Sequence, residues 1–413
     1  MPSHLPVIVV GAGAAGLIAA GRAAELGAKV IILEKNKAVG RKLLISGKGR
    51  CNITNNGDIN TFMENYPGGG RFLYSAFHHF FQPELLQLLK RYGVETKVER
   101  GGRIFPASDK ASDVVQALLN YARTNGAELR TQTEVLEIWQ ADGAVKGVKT
   151  AEEHIEGYAV IIATGGKSYP ATGSTGDGYK WAAALGHTVI TPRPALVPLN
   201  IQEEWVKELQ GLSLKNVAVT LTHGEKVLAK EFGEMLFTHF GVSGPVILTL
   251  SRLVVEKENR RELKLHLNLK PALDEEKLDK RLQRDFQKYQ RRQLQNALDD
   301  LLPKRLIPIV IRLSGIEPAK FVHQITREER HKLVQILLDL GMTVLGPRSL
   351  AEAIVTAGGV SLREVNPRTM ESKLVSGLYF AGEILDIDGF TGGYNLQAAF
   401  SSGYLAGESA AQR

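Results

Sequence analysis

Residues 7–16 read Val-Ile-Val-Val-Gly-Ala-Gly-Ala-Ala-Gly, and the reading of this stretch decides the fold. The β-branched run Val7–Val10 predicts a short buried strand of a parallel sheet. Gly11, Gly13 and Gly16 follow at once, in the spacing G-x-G-x-x-G. The alanine-rich stretch 17–26 predicts a helix that stops at Gly27, and 29–33 predicts a second strand. Glu34 closes that strand, 23 residues beyond Gly11. Gly11 permits the tight strand-to-helix turn, Gly13 lets backbone approach a pyrophosphate, and Gly16 lets helix and strand pack closely. The helix N-terminus offers unpaired N–H groups and the positive end of its dipole to phosphates. Glu34 stands where a carboxylate accepts the ribose hydroxyls of an adenosine, and it would repel a 2′-phosphate. A glycine-rich turn without a ligand would leave Glu34 unexplained, so this stretch predicts a dinucleotide site that disfavours NADP.

This unit does not separate FAD from NAD, because both carry the same ADP half. The rest of the chain does. Residues 46–55, Ser-Gly-Lys-Gly-Arg-Cys-Asn-Ile-Thr-Asn, form a polar loop punctuated by glycine, unsuited to a core strand and suited to wrapping a longer cofactor. An apolar strand over 158–164 runs into Gly165-Gly166, and another over 378–381 runs into Gly382-Glu383. The latter leads through Asp388-Gly389-Phe390-Thr391-Gly392-Gly393-Tyr394-Asn395 into a helix of small residues, 396–410. A nicotinamide enzyme needs one glycine-rich helix N-terminus. A flavin enzyme can use the second to hold the ribityl phosphate and to stabilise negative charge at the flavin N1/O2 edge. The expected cofactor is therefore FAD.

These motifs resemble those of the BaiN/YhiN-type flavoproteins, the NAD(P)/FAD-dependent oxidoreductases that include aminoacetone-oxidase-like members. The resemblance rests on the opening G-A-G-A-A-G with Glu34, on G-R-K-L-L-I-S-G-K-G-R-C-N-I-T-N at 40–55 and on A-T-G-G at 163–166. It rests equally on L-F-T-H-F-G-V-S-G-P at 236–245 and G-E-I-L-D-I-D-G-F-T-G-G-Y-N at 382–395, so it spans essentially the whole chain. It implies a glutathione-reductase-type Rossmann FAD domain interrupted by an inserted domain, and no single substrate. By motif, it implies that Gly11, Gly13, Ala14, Ala15 and Gly16 meet the pyrophosphate, and that Glu34 and Lys35 meet the adenosine ribose. Arg41, Lys42, Ser46, Gly49, Arg50 and Asn52, with Thr164 and Gly165, would surround the rest of the cofactor. Val135 would make a backbone contact to adenine. Gly382, Glu383, Asp388, Gly393, Tyr394 and Asn395 would hold the ribityl and isoalloxazine portions.

From about residue 193 the texture changes. Short strand-like runs at 196–201, 217–222, 226–232 and 263–269 predict a small mainly β insert. Helical patterns cover 274–302, where Leu278, Leu282 and Phe286 recur every four residues, and 328–340. The expected organisation is a discontinuous FAD domain, 1–192 and 347–413, around an insert of 193–346 whose helical part spans about 272–340. The chain of 413 residues is 44% hydrophobic and 23% charged, an ordinary globular composition. No run of eighteen apolar residues predicts a membrane span. The start shows no positive n-region or cleavage site of a secretory signal. A single cysteine, Cys51, excludes an internal disulfide framework. Together these features predict a cytoplasmic protein.

Flavin chemistry needs no nucleophile–base constellation, since the cofactor carries the reaction. His239, inside the 236–245 motif, is singled out as an acid or base near neutral pH, against a purely structural reading. Tyr394 is read as touching substrate or flavin, or as packing. The adjacent pair His78-His79 does not share a helix face and makes a poor metal site. Asp386–Gly389 resembles the start of a calcium loop but lacks its closing glutamate. Cys51 has no partner for disulfide chemistry and reads as a small packed residue. The leading expectation is hydride transfer between a small organic substrate (an amine, or an unsaturated or keto compound) and flavin N5. NAD(P)H, docking transiently, or oxygen would close the cycle. The net charge is +7, and residues 277–292 hold seven Lys/Arg against Asp279 and Asp285. A solvated helix face explains that run most simply. The alternatives are an RNA-associated flavoprotein and a flavin-binding scaffold without turnover.

Overall fold

The computed structural model describes residues 5–257 and 262–413. The chain divides into two units, Met1–Ala195 with Leu350–Arg413, and Leu196–Ser349. The first is built on a five-stranded parallel sheet in the order Leu378–Phe380, Ala159–Ile162, Val7–Val10, Val30–Glu34, Glu128–Thr131. Val7–Val10 lies at its centre, paired on both edges, and its four side chains are at most 4% exposed. Burial of this order stabilises by roughly 1.5–3 kcal/mol per valine. That is why a strand of four residues holds without any alternating pattern. An antiparallel meander, Val135–Ala141, Ala144–Thr150 and His154–Glu156, connects the edge strand Glu128–Thr131 back to Ala159–Ile162. This is a Rossmann-type unit of the kind the opening motif calls for.

The first helix, Ala14–Glu25, packs against the last, Tyr394–Ala411, and glycine sets the approach. A Cβ on Gly403 would stand 2.4 Å from the Ala15 carbonyl oxygen, and one on Gly407 would stand 2.2 Å from that of Ala19. Backbone thus rests on backbone, and the pairs 15/403 and 19/407 show the two helices running in the same direction.

The chain leaves the first unit through the strand Val189–Ala195, which pairs antiparallel with Val355–Val360 on the way back. Residues 193–195 therefore belong to the first unit, although the sequence texture placed them in the insert. In the second unit six strands close into a barrel: Leu199–Ile201, Gly241–Ser243, Lys226–Phe237, Ser213–His223, Leu263–Asn268, Leu340–Pro347. Alternate residues of the last two strands point into the core, as period-two packing demands.

The helical pattern read over 274–302 is shorter in the structure. The helix is Glu275–Lys288, capped by the Asp274 carboxylate on the Lys277 N–H. The apolar series Leu278, Leu282, Phe286 has no successor at Gln290, so the buried face ends there. A further helix, Ile307–Ser314, lies in a stretch whose Ile-Pro-Ile-Val-Ile sequence looks strand-like. Pro308 in its first turn and Gly315 at its left-handed C-cap mark its ends. Arg327–Leu338, with a capping box from Thr326 and Glu329, completes the helical part.

One buried histidine ties the returning chain to the parallel sheet. The His187 side chain is fully buried, its ring edge-on to Phe380. Ser372 Oγ accepts from the Leu374 and Val375 N–H groups, so its own proton goes to His187 Nε2 at 2.9 Å. His187 Nδ1 faces the Glu364 carboxylate at 3.4 Å, outside good hydrogen-bond geometry. Burial holds the imidazole pKa below its ordinary value, with Glu364 opposing. The unfolded chain thus binds this proton more readily than the native one. The stability contribution is complete above about pH 6.5 and declines as pH falls below it. The midpoint of thermal unfolding should drop between pH 7 and pH 5, and a His187→Gln variant should lose part of that slope.

Candidate functional site

The three glycines of the opening turn are held by three different constraints. Gly11 has φ +102°, and a Cβ there would stand 2.7 Å from the Ala163 carbonyl oxygen. A Cβ on Gly16 would overlap the Gly11 carbonyl oxygen at 1.8 Å. Gly13 is different. It has ordinary extended backbone (φ −88°, ψ −164°), and nothing stands within 4 Å of where its Cβ would be. Packing therefore requires glycine at 11 and 16, whereas position 13 keeps open space over the helix start. No side chain caps the helix Ala14–Glu25, and no acid lies in its first turn.

Glu34 is 8% exposed and turns back to that start. Its carboxylate accepts the Ala12 N–H at 2.9 Å, and its other oxygen accepts the Asn36 N–H at 2.9 Å and Asn36 Nδ2 at 2.6 Å. Arg41 holds Asn36 Oδ1 at 2.7 Å, and Lys35 pairs with Asp177 at 2.7 Å. Val135 opens its strand two residues beyond Thr133, whose N–H donates to the Glu34 carbonyl, and is 5% exposed. Glu34, Lys35, Arg41 and Val135 thus gather at one end of the parallel sheet beside the glycine turn.

A second group surrounds Glu383. Its carboxylate pairs with Lys42 Nζ at 2.6 Å, accepts the Thr356 N–H at 2.8 Å and accepts the Ser168 hydroxyl at 3.2 Å. Thr356 Oγ1 in turn accepts the N–H groups of Lys167 and Ser168. Gly166 is glycine because a Cβ would stand 2.5 Å from Thr356 Oγ1 and 2.7 Å from Glu383 Oε1. Thr164 Oγ1 is buried without a partner among the described residues, and Gly165 beside it has φ +73°. Ser168, Thr356 and Asn36 carry no motif. They join the site only because distant segments meet, and no local pattern marks them.

The third group fixes the start of the last helix. Gly393, with φ +103°, is its N-cap, and a Cβ there would stand 2.3 Å from the Thr54 carbonyl oxygen. With its amide oriented to suit its neighbours, Asn52 Oδ1 accepts the Gly393 N–H at 3.0 Å, and Nδ2 donates to the Thr54 and Ile104 carbonyls. Asn395 closes its own loop, accepting from the Gly389 N–H at 2.7 Å and donating to the Gly389 carbonyl at 2.8 Å. Asp388 is buried in that loop. Gly382, with φ +79°, donates to Ser402 Oγ. The Tyr394 ring packs edge-on against Phe62 at 4.8 Å, and its carbonyl accepts the Tyr66 hydroxyl. Burial raises the Tyr394 pKa, so its phenol stays protonated at neutral pH. The cap residue of this helix, Gly393, brings no side chain onto the N–H groups of the first turn, and no acid lies in that turn.

The helix register relates the two uncapped starts. Ala15 lies against Gly403, so Tyr394 precedes the level of Ala14 by eight residues, or about 12 Å at 1.5 Å per residue. Two positive helix ends thus face the same way, staggered along one direction.

The remaining candidates make other contacts. Arg50 forks onto Glu99 at 2.9 Å, meets Asp109 and lies over the Phe105 ring. Ser46 donates to the Leu43 carbonyl. Gly49 (φ +84°) belongs to a run of left-handed residues with Gly47, Lys48 and Cys51. Cys51 is fully buried, and burial pushes its thiol up to about 12, so it stays protonated and inert at neutral pH. His239 belongs to the second unit. It is exposed in the turn after Lys226–Phe237, edge-on to Phe240. His78 bonds the Tyr74 carbonyl and His79 bonds Glu408.

The chain matches the family described as HI0933-like protein Rossmann domain over residues 5–409. It is 33% identical over 411 residues to the 3-dehydro-bile acid delta(4,6)-reductase of Clostridium scindens, covering 98% of each. It is 32% identical over 406 residues to the ribosomal RNA dihydrouridine synthase of Escherichia coli, covering 97% of this chain and 96% of that one. In fold it is similar to the 3-ketosteroid-delta4-(5alpha)-dehydrogenase of Rhodococcus jostii RHA1. The TM-score is 0.55 at 15% identity, covering 98% of this chain and 96% of that one.

The Glu383 group yields a stability test that needs no ligand. Glu383→Gln keeps the carbonyl oxygen that serves Thr356 and Ser168 and loses only the Lys42 charge, at a cost of about 1 kcal/mol. Glu383→Ala strands all three partners and should cost roughly 2–3 kcal/mol. Urea unfolding of the two variants should rank them in that order.

Proposed function

Because the chain belongs to the HI0933-like Rossmann family, the FAD-dependent oxidoreductases of BaiN/YhiN type, we propose that it saturates a carbon–carbon double bond conjugated to a carbonyl. The observation that carries the cofactor half of this reading is the pair of uncapped, parallel, staggered helix starts beside Glu34. A nicotinamide dinucleotide would use one of them, and a flavin dinucleotide uses both. The residues present fit such a group. Gly13 leaves open space, Thr164 Oγ1 is buried without a partner among the described residues, and no acid stands in the first turn of either helix.

Each residue then has a part. The N–H groups at Ala14, Ala15 and Gly16 take the pyrophosphate over Gly13, with Gly11 making the turn. Glu34 accepts the ribose hydroxyls, with Lys35 and Arg41 held beside it. Val135 offers backbone to the adenine. Lys42, fixed by Glu383 and Ser168, supplies a positive charge that does not wander. Thr164, Gly165, Gly382 and Asp388 line the middle of the path. Gly393, Tyr394 and Asn395 present the second helix start to the electron-rich edge of the ring, with Asn52 holding it in place. When bound, FAD supplies the hydride.

The reaction class follows from what the two curated relatives have in common. One is named for reducing a bile acid's delta(4,6) bonds beside a 3-keto group, the other for making dihydrouridine, in which a ring double bond beside a carbonyl is saturated. Both are conjugate reductions, in which hydride goes to the carbon remote from the carbonyl and a proton to the carbon beside it. Tyr394, whose phenol burial keeps protonated at neutral pH, is the proposed proton donor. NADH or NADPH, docking transiently, is the proposed source of electrons.

The purified protein should show flavin absorption near roughly 370 and 450 nm. Under nitrogen, NADH or NADPH should bleach it. Cyclic enones, a 3-keto-delta(4) bile acid or uridine-containing RNA should restore it, while isolated alkenes should not. Flavin bleached by amines and restored by none of the conjugated acceptors would overturn the reading in favour of amine oxidation. Gly13→Val tests the cofactor position separately. With open space and extended backbone, it should shift the melting temperature of flavin-free protein by only about 1–2 °C. Flavin retention should be lost, and a variant that kept its flavin would exclude Gly13 from the cofactor's path.

A further inference from the structure

We propose that the second unit carries a docking surface for single-stranded RNA, formed where the end of the helix Glu275–Lys288 meets the segment 321–323. The inference deepens the conjugate-reduction reading by naming RNA as the carrier of the double bond, and it rests on that reading for this choice alone.

The first observation is where charge is left over. Residues 196–349 hold 25 Lys/Arg against 20 Asp/Glu, five of the chain's seven net charges. Along the basic helix most cations are neutralised. Lys277 pairs with Asp274, Lys280 with Glu276, Arg281 with Asp285 and Lys288 with Asp300. Arg284, Arg291 and Arg292 are exposed and have no acidic partner among the described residues. The uncompensated charge therefore collects at the end of the helix and in the turn beyond it.

The second observation is independent of charge. The turn is stitched to a segment that bears exposed rings. The Val322 N–H donates to the Arg292 carbonyl at 3.1 Å, and the Leu294 N–H donates to that of Lys320 at 2.9 Å. His323, exposed, bonds the Gln290 carbonyl through Nδ1 at 2.7 Å. Phe321, 40% exposed, stacks on His323 with centroids 5.8 Å apart and planes at 29°. Across the stitch, Tyr289 lies between Lys288 Nζ at 4.7 Å and the Arg292 guanidinium at 4.5 Å. Three rings and two of the uncompensated arginines, Arg291 and Arg292, thus share one hydrogen-bonded frame, with Arg284 about one turn back on the helix.

This is the composition that single-stranded nucleic acid requires. Cations neutralise phosphates, and ring and guanidinium faces stack on unpaired bases. An acidic peptide would satisfy the arginines but would have no flat faces to offer the rings.

The test is binding of a fluorescently labelled, uridine-rich single-stranded RNA to the flavin-loaded protein, read by anisotropy across a salt series. Affinity should fall steeply with salt. Arg284→Glu with Arg291→Glu and Arg292→Glu should flatten the salt slope by about one unit per arginine and weaken binding at least tenfold. Phe321→Ala should weaken it by about tenfold with the slope unchanged. Melting temperature and NAD(P)H bleaching of the flavin should be unaltered in all of them. No binding by the wild type, equal binding by the variants, or displacement of RNA by equimolar polyglutamate would overturn the surface. Reoxidation of reduced flavin by a small cyclic enone is scored separately, so loss of the RNA surface and loss of the conjugate-reduction reading are told apart.

Discussion

The backbone contact between the first and last helices is the constraint on which the first unit depends. Gly403 and Gly407 lie directly on Ala15 and Ala19, with no side chain between them. Such closeness fixes the axial register as well as the distance, because a shift of one residue would drive a Cβ into a carbonyl. Close packing of this kind is discrete and does not slide. The register in turn decides that the two helix starts point the same way about 12 Å apart. A chain that brings residue 14 and residue 394 into a fixed relation has coupled its two ends through four small residues. The strand Leu378–Phe380, pairing with Ala159–Ile162, supplies the other half of that coupling.

Around this frame the structure spends polar groups where a fold alone would not need them. Glu383, Lys42, Ser168 and Thr356 come from four separate stretches of chain and satisfy one another. Each group taken out of water there requires its partner, and replacing one by an apolar residue leaves the others stranded. Asn52, Thr54 and Gly393 make a similar knot, continued by Thr54 onto Gln397 and by Ser401 onto the Phe80 carbonyl. Such networks hold loops in one conformation. Here the loops held are the ones that flank the two helix starts.

The difference between what could and could not be read from the sequence follows the range of the forces involved. The glycine turn was legible because its reasons are local: a positive φ at Gly11, a close approach at Gly16, open space at Gly13. The place of Glu34, at the end of the second strand and facing the glycine turn, was legible from its distance along the chain. The roles of Arg50 and Tyr394 were not, because what surrounds them comes from elsewhere. Glu99 and Asp109 take Arg50, and Phe62 and Tyr66 enclose Tyr394. The helix expected to run to residue 302 ends at Lys288, since a four-residue apolar period reports a helix only while something packs on it. Ile307–Ser314 is unmarked for a different reason: its run Ile309-Val310-Ile311 is β-branched and reads as strand, and eight residues with Pro308, Arg312 and Leu313 exposed give too few turns for a helical period to stand out.

The place of the insert explains how one frame can serve unlike substrates. The chain departs after Ala195 and returns at Leu350, and the strands flanking these points pair with each other. The first unit therefore closes its own hydrogen bonds across the insertion point, and its helices and glycine turn are complete without a residue of the barrel. Relatives about one-third identical over nearly their whole length are named for a bile acid and for ribosomal RNA, molecules that share a conjugated double bond and little else. In this chain five of the seven net positive charges, the exposed Phe321 and the arginines of the 289–292 turn lie on the second unit. A polyanion with unpaired bases would use the arginines and the rings of such a surface together.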